Sequence, residues 1–357
     1  MIRPTDKNFI PYANLIRAVA VMLVLLDHSL SYILPDFLTN LQKHIIFSGN
    51  ASIFFMLTGA LLLPMRHSTG KFLKYRFVKI GIPFILWSLL YLIINQKFTN
   101  QIGGGGFLYG LKMMAFKPSF AEGWYFYVLG ALYLAIPIIS PFIMLASKRR
   151  LQYYLVVWIA AATLPYLKYI GLWGFSATDN FLSTFYNYSG FLVLGYYLRK
   201  YPLSSEPLKI SIPVVILSAV TLLLPAIIEQ RCRMFGYRVI MEELGATTIA
   251  WCIIVFSILQ QVGTRHTGLC NNAPVRWIVR ISFVAYLSQN LFIKQIVLPF
   301  YTDGRITSME AITLGISLCL LFSTVYSLTT PIVWKRFLRR LKQKEVRSLP
   351  GTPHAQY

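Results

Sequence analysis

An arginine and a histidine in the first apolar segment are the residues best suited to chemistry. Arg17 and His28 are 11 residues apart, which in an α-helix is about three turns and places both side chains on one face. The same spacing separates them by about 16 Å along the helix axis. Imidazole can accept a proton near neutral pH, and guanidinium binds phosphate through its forked donors. The pair therefore predicts a helix that lines a site for proton transfer at one end and anion binding at the other.

The same residues also have structural interpretations. Arg17 could reach the lipid headgroups with its long side chain, and a lone buried histidine usually only satisfies hydrogen bonds. Asp27, about 100° around the helix from His28, could pair with polar groups near that ring. The shared face of Arg17 and His28 favours the functional interpretation. His28 is the expected base because the remaining histidines fall in loops, at span edges or in the tail. These are His44, His67, His266 and His354.

The composition places these residues in a membrane. Of the 357 residues, 56% are hydrophobic and only 13% are charged, whereas soluble domains carry about 25% charged residues. Such a chain is too hydrophobic to be disordered, and its net charge of +22 does not make it a soluble nucleic-acid-binding protein. An ionisable residue inside a membrane span is costly and usually functional, which strengthens the case for Arg17 and His28. The four cysteines are too dispersed to predict a metal site or a disulfide framework.

Apolar runs predict an all-α integral membrane protein with about ten transmembrane helices. The predicted spans are 13–33, 45–63, 79–94, 124–145, 153–170, 185–198, 212–228, 245–262, 281–300 and 311–334. If these spans alternate in direction, about two thirds of the 34 lysines and arginines lie on one side. The positive-inside rule makes that side, and both termini, cytoplasmic. We expect a cytoplasmic segment over 1–12, a membrane domain over 13–334 and a basic cytoplasmic tail over 335–357.

Six short motifs resemble those of a known family, in the family's order. Asn14-Leu15-Ile16-Arg17, followed after ten residues by His28-Ser29, resembles the opening motif of the membrane acyltransferase 3 family. The other five are SIFFMLTG at 52–59, the basic segment 72–83, Trp124-Tyr125-Phe126 with Tyr133 and Pro137, SGFLVLG at 189–195 and SFVAYL at 282–287. The resemblance extends from residue 14 to about residue 334. In architecture the chain is similar to the subgroup that includes the enterobacterial-common-antigen O-acetyltransferase.

The resemblance implies a multi-pass enzyme of the bacterial inner membrane. Such an enzyme would transfer an acyl group, expected to be acetyl, from cytoplasmic acyl-CoA to a hydroxyl of a cell-surface or lipid-linked sugar. Acetyl-CoA would be a co-substrate, with no permanently bound cofactor. His28 would act as the base, and Arg17 would bind or position the donor. Arg76 and Lys79 are further candidates for the donor phosphates, as are Arg276 and Arg280; most other basic residues are expected to contact anionic lipid.

The outer end of the fourth predicted span supplies candidates for the acceptor side. Trp124 and Tyr125 could stack on sugar rings, although aromatic residues are enriched at membrane interfaces in any case. Glu122 is a candidate catalytic carboxyl group that could orient His28 or accept a proton, with a solvated loop position as the alternative. Many relatives carry histidines where this chain has Glu122 and Gln289, so the roles of those histidines cannot be transferred.

Two other functions remain open at this point. A transporter or flippase for a glycan or small solute would use Asp27, His28 and Glu122 as proton-relay groups, although the sequence shows no inverted repeat or paired interrupted helices. A non-catalytic partner in polysaccharide assembly is the third possibility. Acyl transfer by the purified protein would separate an enzyme from both.

Overall fold

The computed structural model describes residues 10, 12–34, 49–65, 68–99, 106–167, 185, 187–203 and 244–347. Across these residues the regular secondary structure is entirely helical, and six helices are long and apolar enough to cross a membrane. They are Ala13–Ile33, Thr69–Ile94, Ala121–Leu145, Thr248–Arg265, Thr267–Thr302 and Ser308–Thr330. For the described residues, the prediction of an all-α integral membrane protein is therefore confirmed. The count of ten spans and the cytoplasmic termini remain predictions, and the predicted span 212–228 lies outside the described residues.

Thirteen α-helices are described. In chain order they are α1 (Ala13–Ile33), α2 (Asn50–Leu62), α3 (Thr69–Arg76), α4 (Ile82–Thr99), α5 (Gly106–Met113), α6 (Trp124–Leu145), α7 (Lys148–Leu167), α8 (Ser189–Lys200), α9 (Ala246–Arg265), α10 (Thr267–Cys270), α11 (Ala273–Gln289), α12 (Leu298–Thr302) and α13 (Ser308–Arg347). A π-helical segment, Phe77–Gly81, joins α3 to α4, and a second, Asn290–Val297, joins α11 to α12. A 3₁₀ turn, Ala121–Gly123, leads into α6.

Helix α1 lies inside the bundle. It contacts α2, α9, α11 and α13, and its apolar side chains Ile16, Val24 and Leu25 are buried. A helix surrounded by other helices can carry charged and polar side chains, because they face protein or a cavity rather than lipid. The position of α1 therefore permits the polar residues that its sequence contains.

Helices α2 and α8 approach each other closely because each carries a glycine at the contact. A Cβ atom on Gly59 would lie 2.0 Å from the backbone oxygen of Leu192, and one on Gly195 would lie 1.9 Å from that of Met56. Small residues allow this backbone contact between membrane helices, which lack a hydrophobic drive to associate in lipid. Two motifs noted in the sequence thus serve helix packing at these positions.

The second π-helical segment begins where a tyrosine enters the hydrogen-bond ladder of the helix. The hydroxyl of Tyr91, on α4, donates to the backbone oxygen of Leu287 at 2.7 Å and accepts from the amide of Leu291 at 3.0 Å. In an α-helix these two backbone groups would bond each other. A side chain inserted into the ladder distorts a helix, and π-helical turns often mark functional sites. The fully buried Tyr91 therefore widens the helix beside Gln289 and Asn290.

Candidate active site

A cavity of about 450 Å³ lies at one end of α1 and is called here the basic cavity. Four cationic side chains line it: Arg17, Arg76, Lys79 and Arg280. The other described lining residues are apolar, aromatic or hydroxyl-bearing, and none carries a carboxyl group. Four like charges in one cavity make its potential positive, so this arrangement favours an anionic ligand. The volume is within the range of small-molecule sites.

Aromatic rings hold Arg76 in place. Its guanidinium lies 5.4 Å from the ring centre of Phe72, 5.5 Å from that of Tyr75 and 5.3 Å from that of Tyr133. Its Nε atom is buried and has no hydrogen-bond partner. Lys79 donates to the hydroxyl of Tyr75. Stacking fixes the plane of a guanidinium and leaves its edge free to bind an oxyanion.

Three turns along α1, His28 lies in a different environment. Its Nδ1 atom is 3.0 Å from Oε1 of Gln289. An amide oxygen can only accept a hydrogen bond, so this contact favours the tautomer with the proton on Nδ1 and the lone pair on Nε2. The side chain of Gln289 is fully buried, and its Nε2 has no partner. The contact is thus compatible with the tautomer in which Nε2 of His28 can take a proton.

Glu122 lies beside this pair, in the 3₁₀ turn before α6, and is only 2% exposed. Its carboxyl oxygens accept from Nδ2 of Asn290 at 2.9 and 3.1 Å, and Oε1 also accepts from the hydroxyl of Tyr32 at 3.1 Å. The ring of His28 thus bonds Gln289, whereas Glu122 bonds the neighbours of that pair. We call His28, Tyr32, Glu122, Gln289 and Asn290 the polar cluster.

Helix α11 runs alongside α1 and connects the same two regions. Arg280 lines the basic cavity, and Gln289, nine residues later, belongs to the polar cluster. The rise of an α-helix puts them about 13 Å apart, close to the separation of Arg17 and His28. Helix α11 begins at Ala273 because Oδ1 of Asn272 caps it, accepting from the amide of Val275 at 2.9 Å. A cap at that residue fixes where along the helix Arg280 and Gln289 fall.

Four contacting rings line the basic cavity, and one of them also bonds a residue of the polar cluster. Tyr125, Phe126, Phe283 and Tyr286 all line the cavity, and their ring centres are 5.1 to 5.8 Å apart in contacting pairs. On the other side, the hydroxyl of Tyr286 donates to the backbone oxygen of Glu122 at 3.3 Å. We call these four residues the aromatic layer.

The structure brings together most of the residues that the sequence predicts for the site. Arg17, Arg76 and Lys79 meet in the basic cavity. Arg280 joins them, whereas Arg276 is not among the described lining residues. Their roles in donor binding remain predictions.

The two aromatic candidates lie in different surroundings. Tyr125 is on the wall of the basic cavity and stacks on Phe55, with ring centres 5.0 Å apart. Trp124 packs against Tyr188 at 6.0 Å. Sugar binding by either residue remains a prediction, and the position of Tyr125 brings it nearer to the four cations.

Sequence reasoning did not rank three residues that complete the site. Gln289 and Asn290 stand out only as adjacent polar residues in an apolar segment. Tyr91 gives no sequence signal, because tyrosine is common in membrane helices and its partners are backbone groups almost 200 residues away.

Comparison with known proteins gives one match. The family model Acyl_transf_3, described as an acyltransferase domain, matches residues 10–329. That range includes every residue of the basic cavity, the aromatic layer and the polar cluster. No curated protein and no solved structure gave a match to the chain.

Proposed function

The chain belongs to the Acyl_transf_3 family of acyltransferases, and on that basis we propose that it O-acetylates a sugar at the bacterial inner membrane. Acetyl-CoA would be the donor, and a hydroxyl of a cell-surface or lipid-linked glycan would be the acceptor. The observation that carries this proposal is the pair of sites joined by α1. Arg17 lies in a cavity with three other cations, and His28 lies in a cluster where its Nδ1 faces the amide oxygen of Gln289.

The basic cavity is the expected binding site for the phosphates of CoA. Arginine and lysine side chains bind phosphate oxygens through charge-assisted hydrogen bonds. These bonds would come from Arg17, Arg76, Lys79 and Arg280. The bound phosphates would in turn relieve the repulsion among these four cations. The predicted topology turns this end of α1 towards the cytoplasm, where acetyl-CoA is found.

The dimensions of the donor fit the distance between the two sites. The pantetheine arm of CoA has about a dozen bonds between its phosphate oxygen and its sulfur, and an extended chain advances about 1.2 Å per bond. The arm therefore spans about 14 Å. Arg17 and His28 are about 16 Å apart along α1, so a donor held at Arg17 could present its thioester near His28. The arm would pass the aromatic layer and contact Tyr125 and Tyr286.

The reaction then follows from the tautomer of His28. Nε2 takes the proton of the acceptor hydroxyl while that oxygen attacks the thioester carbonyl carbon. The tetrahedral intermediate collapses, the carbon–sulfur bond breaks, and the acetyl group stays on the sugar oxygen. The sulfur leaves as the CoA thiolate and takes the proton from Nε2, which returns His28 to its starting form.

Replacing the base tests the proposal most directly. His28→Ala should reduce acetyl transfer about 10²- to 10⁴-fold, the usual contribution of a general base. The measurement is acetylated glycan by mass spectrometry, together with acetyl-CoA consumption by the protein purified in detergent. A transporter would form no acetylated product in that assay. His266→Ala is the matched control, since His266 is exposed between α9 and α10.

The outcomes are distinct. Loss of transfer in His28→Ala, with normal membrane insertion and an active His266→Ala control, supports the assignment. A fully active, correctly inserted His28→Ala protein would overturn it.

A further inference from the structure

We propose that Gln289 is a positioning residue for acyl transfer, which holds the proton on Nδ1 of His28 so that Nε2 acts as the base. This role rests on the proposed function, because the orientation of the imidazole matters for catalysis only if His28 is the base. It concerns a residue that touches His28 rather than the reacting atoms.

The geometry of the contact supports this role. Oε1 of Gln289 is 3.0 Å from Nδ1 of His28, and the amide lies in a fully buried position. A hydrogen bond shielded from water restrains a ring more effectively than one exposed to it. The remaining amide group, Nε2, has no partner. Burying an unpaired amide donor costs folding free energy. That cost is consistent with a requirement that Oε1 of Gln289 stay bonded to the imidazole of His28.

An amide orients an imidazole differently from a carboxylate. It accepts the Nδ1 proton without adding a negative charge, so it does not strongly stabilise the imidazolium that forms when Nε2 takes a proton. An imidazolium that is not stabilised passes its proton readily to the leaving thiolate. Glu122, the buried carboxyl group of the cluster, is bonded to Asn290 and Tyr32 instead.

The protein holds Gln289 in place from both sides. Asn290, the next residue, donates to Glu122, and the hydroxyl of Tyr91 occupies the ladder between Leu287 and Leu291. Two consecutive residues, where α11 meets the π-helical segment, therefore bond different elements. Gln289 bonds His28 of α1, and Asn290 bonds Glu122 in the turn before α6. This arrangement fixes the amide at the height of His28.

Charged and titratable groups around this part of α1 bear on any pH dependence. They come from α1 itself, from α4, from the 3₁₀ turn, from the second π-helical segment and from α13. They are Asp27, Tyr32, Tyr91, Glu122, Lys294 and Cys319. Substitutions at Gln289 leave all of these unchanged, so a shift in the pH–rate profile would report on the contact with His28.

Two substitutions of Gln289 test the proposal. Gln289→Leu removes the acceptor, so kcat should fall about 10- to 100-fold, by analogy with the loss when the orienting partner of a metal-bound histidine is removed, with an unchanged KM for acetyl-CoA. Gln289→Glu keeps an acceptor and adds a charge that stabilises the imidazolium. Because the base must be unprotonated, the acid limb of its pH–rate profile should move to higher pH by about one unit or more.

The measurements are kcat, KM and the pH–rate profile of the full-length protein in detergent. Ring ¹⁵N chemical shifts of His28 report the tautomer independently of activity. A Gln289→Leu protein with the wild-type kcat, pH profile and tautomer would overturn the proposal, as would a Gln289→Glu protein whose acid limb does not move. Failure of the proposed function looks different, because His28→Ala would then be fully active or the wild-type protein would transfer no acetyl group.

Discussion

The basic cavity and the polar cluster both include residues of α1 and α11, but they differ in how their charged groups are compensated. The cavity gathers four cations, and none of its described lining residues carries a carboxyl group. The cluster is closely packed, and its carboxyl group accepts hydrogen bonds from neutral donors. A cavity with uncompensated charge is suited to receive a ligand from outside, whereas a buried cluster of mutual hydrogen bonds is suited to hold one geometry. Substitutions should therefore raise KM in the first region and lower kcat in the second.

Removing a cation from the basic cavity should give the largest effect of the substitutions that compare the two regions. Arg17→Ala should raise the KM for acetyl-CoA about 10- to 100-fold, because a hydrogen bond to a charged group contributes about 1.5–3 kcal/mol, and kcat should change much less. Steady-state kinetics in detergent measure both quantities. Arg149→Ala, at an exposed residue of α7, is the control. A fall in kcat with no change in KM would place Arg17 with the chemistry and break the comparison.

Closing the widened helix should affect only the polar cluster. Tyr91→Phe removes the hydroxyl that separates Leu287 from Leu291, so the ladder can close and Gln289 can rotate away from His28. We expect kcat to fall roughly tenfold, in proportion to the loss of about one neutral hydrogen bond, with no change in KM for acetyl-CoA. Tyr153→Phe, at a residue that is 73% exposed, should have no effect. Unchanged kcat in Tyr91→Phe would show that the widened helix does not position Gln289.

Neutralising Glu122 should have the smallest effect on turnover and a clearer one on stability. Glu122→Gln keeps an acceptor for Tyr32 but turns an amide group towards Asn290, so one bond of the cluster is lost. The expected cost is about 1–3 kcal/mol of unfolding free energy, with kcat reduced only severalfold. Thermal unfolding in detergent, followed beside the activity assay, separates these outcomes. A loss of activity as large as that of His28→Ala, at normal stability, would give Glu122 a catalytic role.

Long apolar runs in the sequence predicted the positions of long helices in the fold. The bounds of α1 and α6 agree with the predicted spans 13–33 and 124–145, because both are long apolar runs with clear ends. The last helix continues to Arg347 rather than ending near 334, and the helix predicted to start at 281 starts at Ala273. Hydropathy detects the part of a helix that is apolar and not the polar turns that extend it.

The site was predictable where one helix supplied the pattern or where a motif resembled the family's. Arg17 and His28 share a face by helical spacing alone, whereas Arg76 and Lys79 were candidates because of the family-like basic segment 72–83. Gln289 is 261 residues from His28 along the chain, so their contact depends on how α11 packs against α1. The close packing of α2 on α8 depends on Gly59 and Gly195. Each glycine faces the backbone of the other helix, so its role cannot be seen from one helix alone.

The aromatic layer has an electrical consequence for the cell. A protein that takes its donor from one compartment and its acceptor from another would discharge the membrane if a water-filled path joined the two. Each elementary charge that crosses releases about 2.3 kcal/mol per 100 mV of potential. The rings of Tyr125, Phe126, Phe283 and Tyr286 contact one another and form an apolar part of the wall of the basic cavity. Under the proposed function, such an apolar wall would act as an insulator that lets an acyl group be handed across the bilayer without a leak of ions.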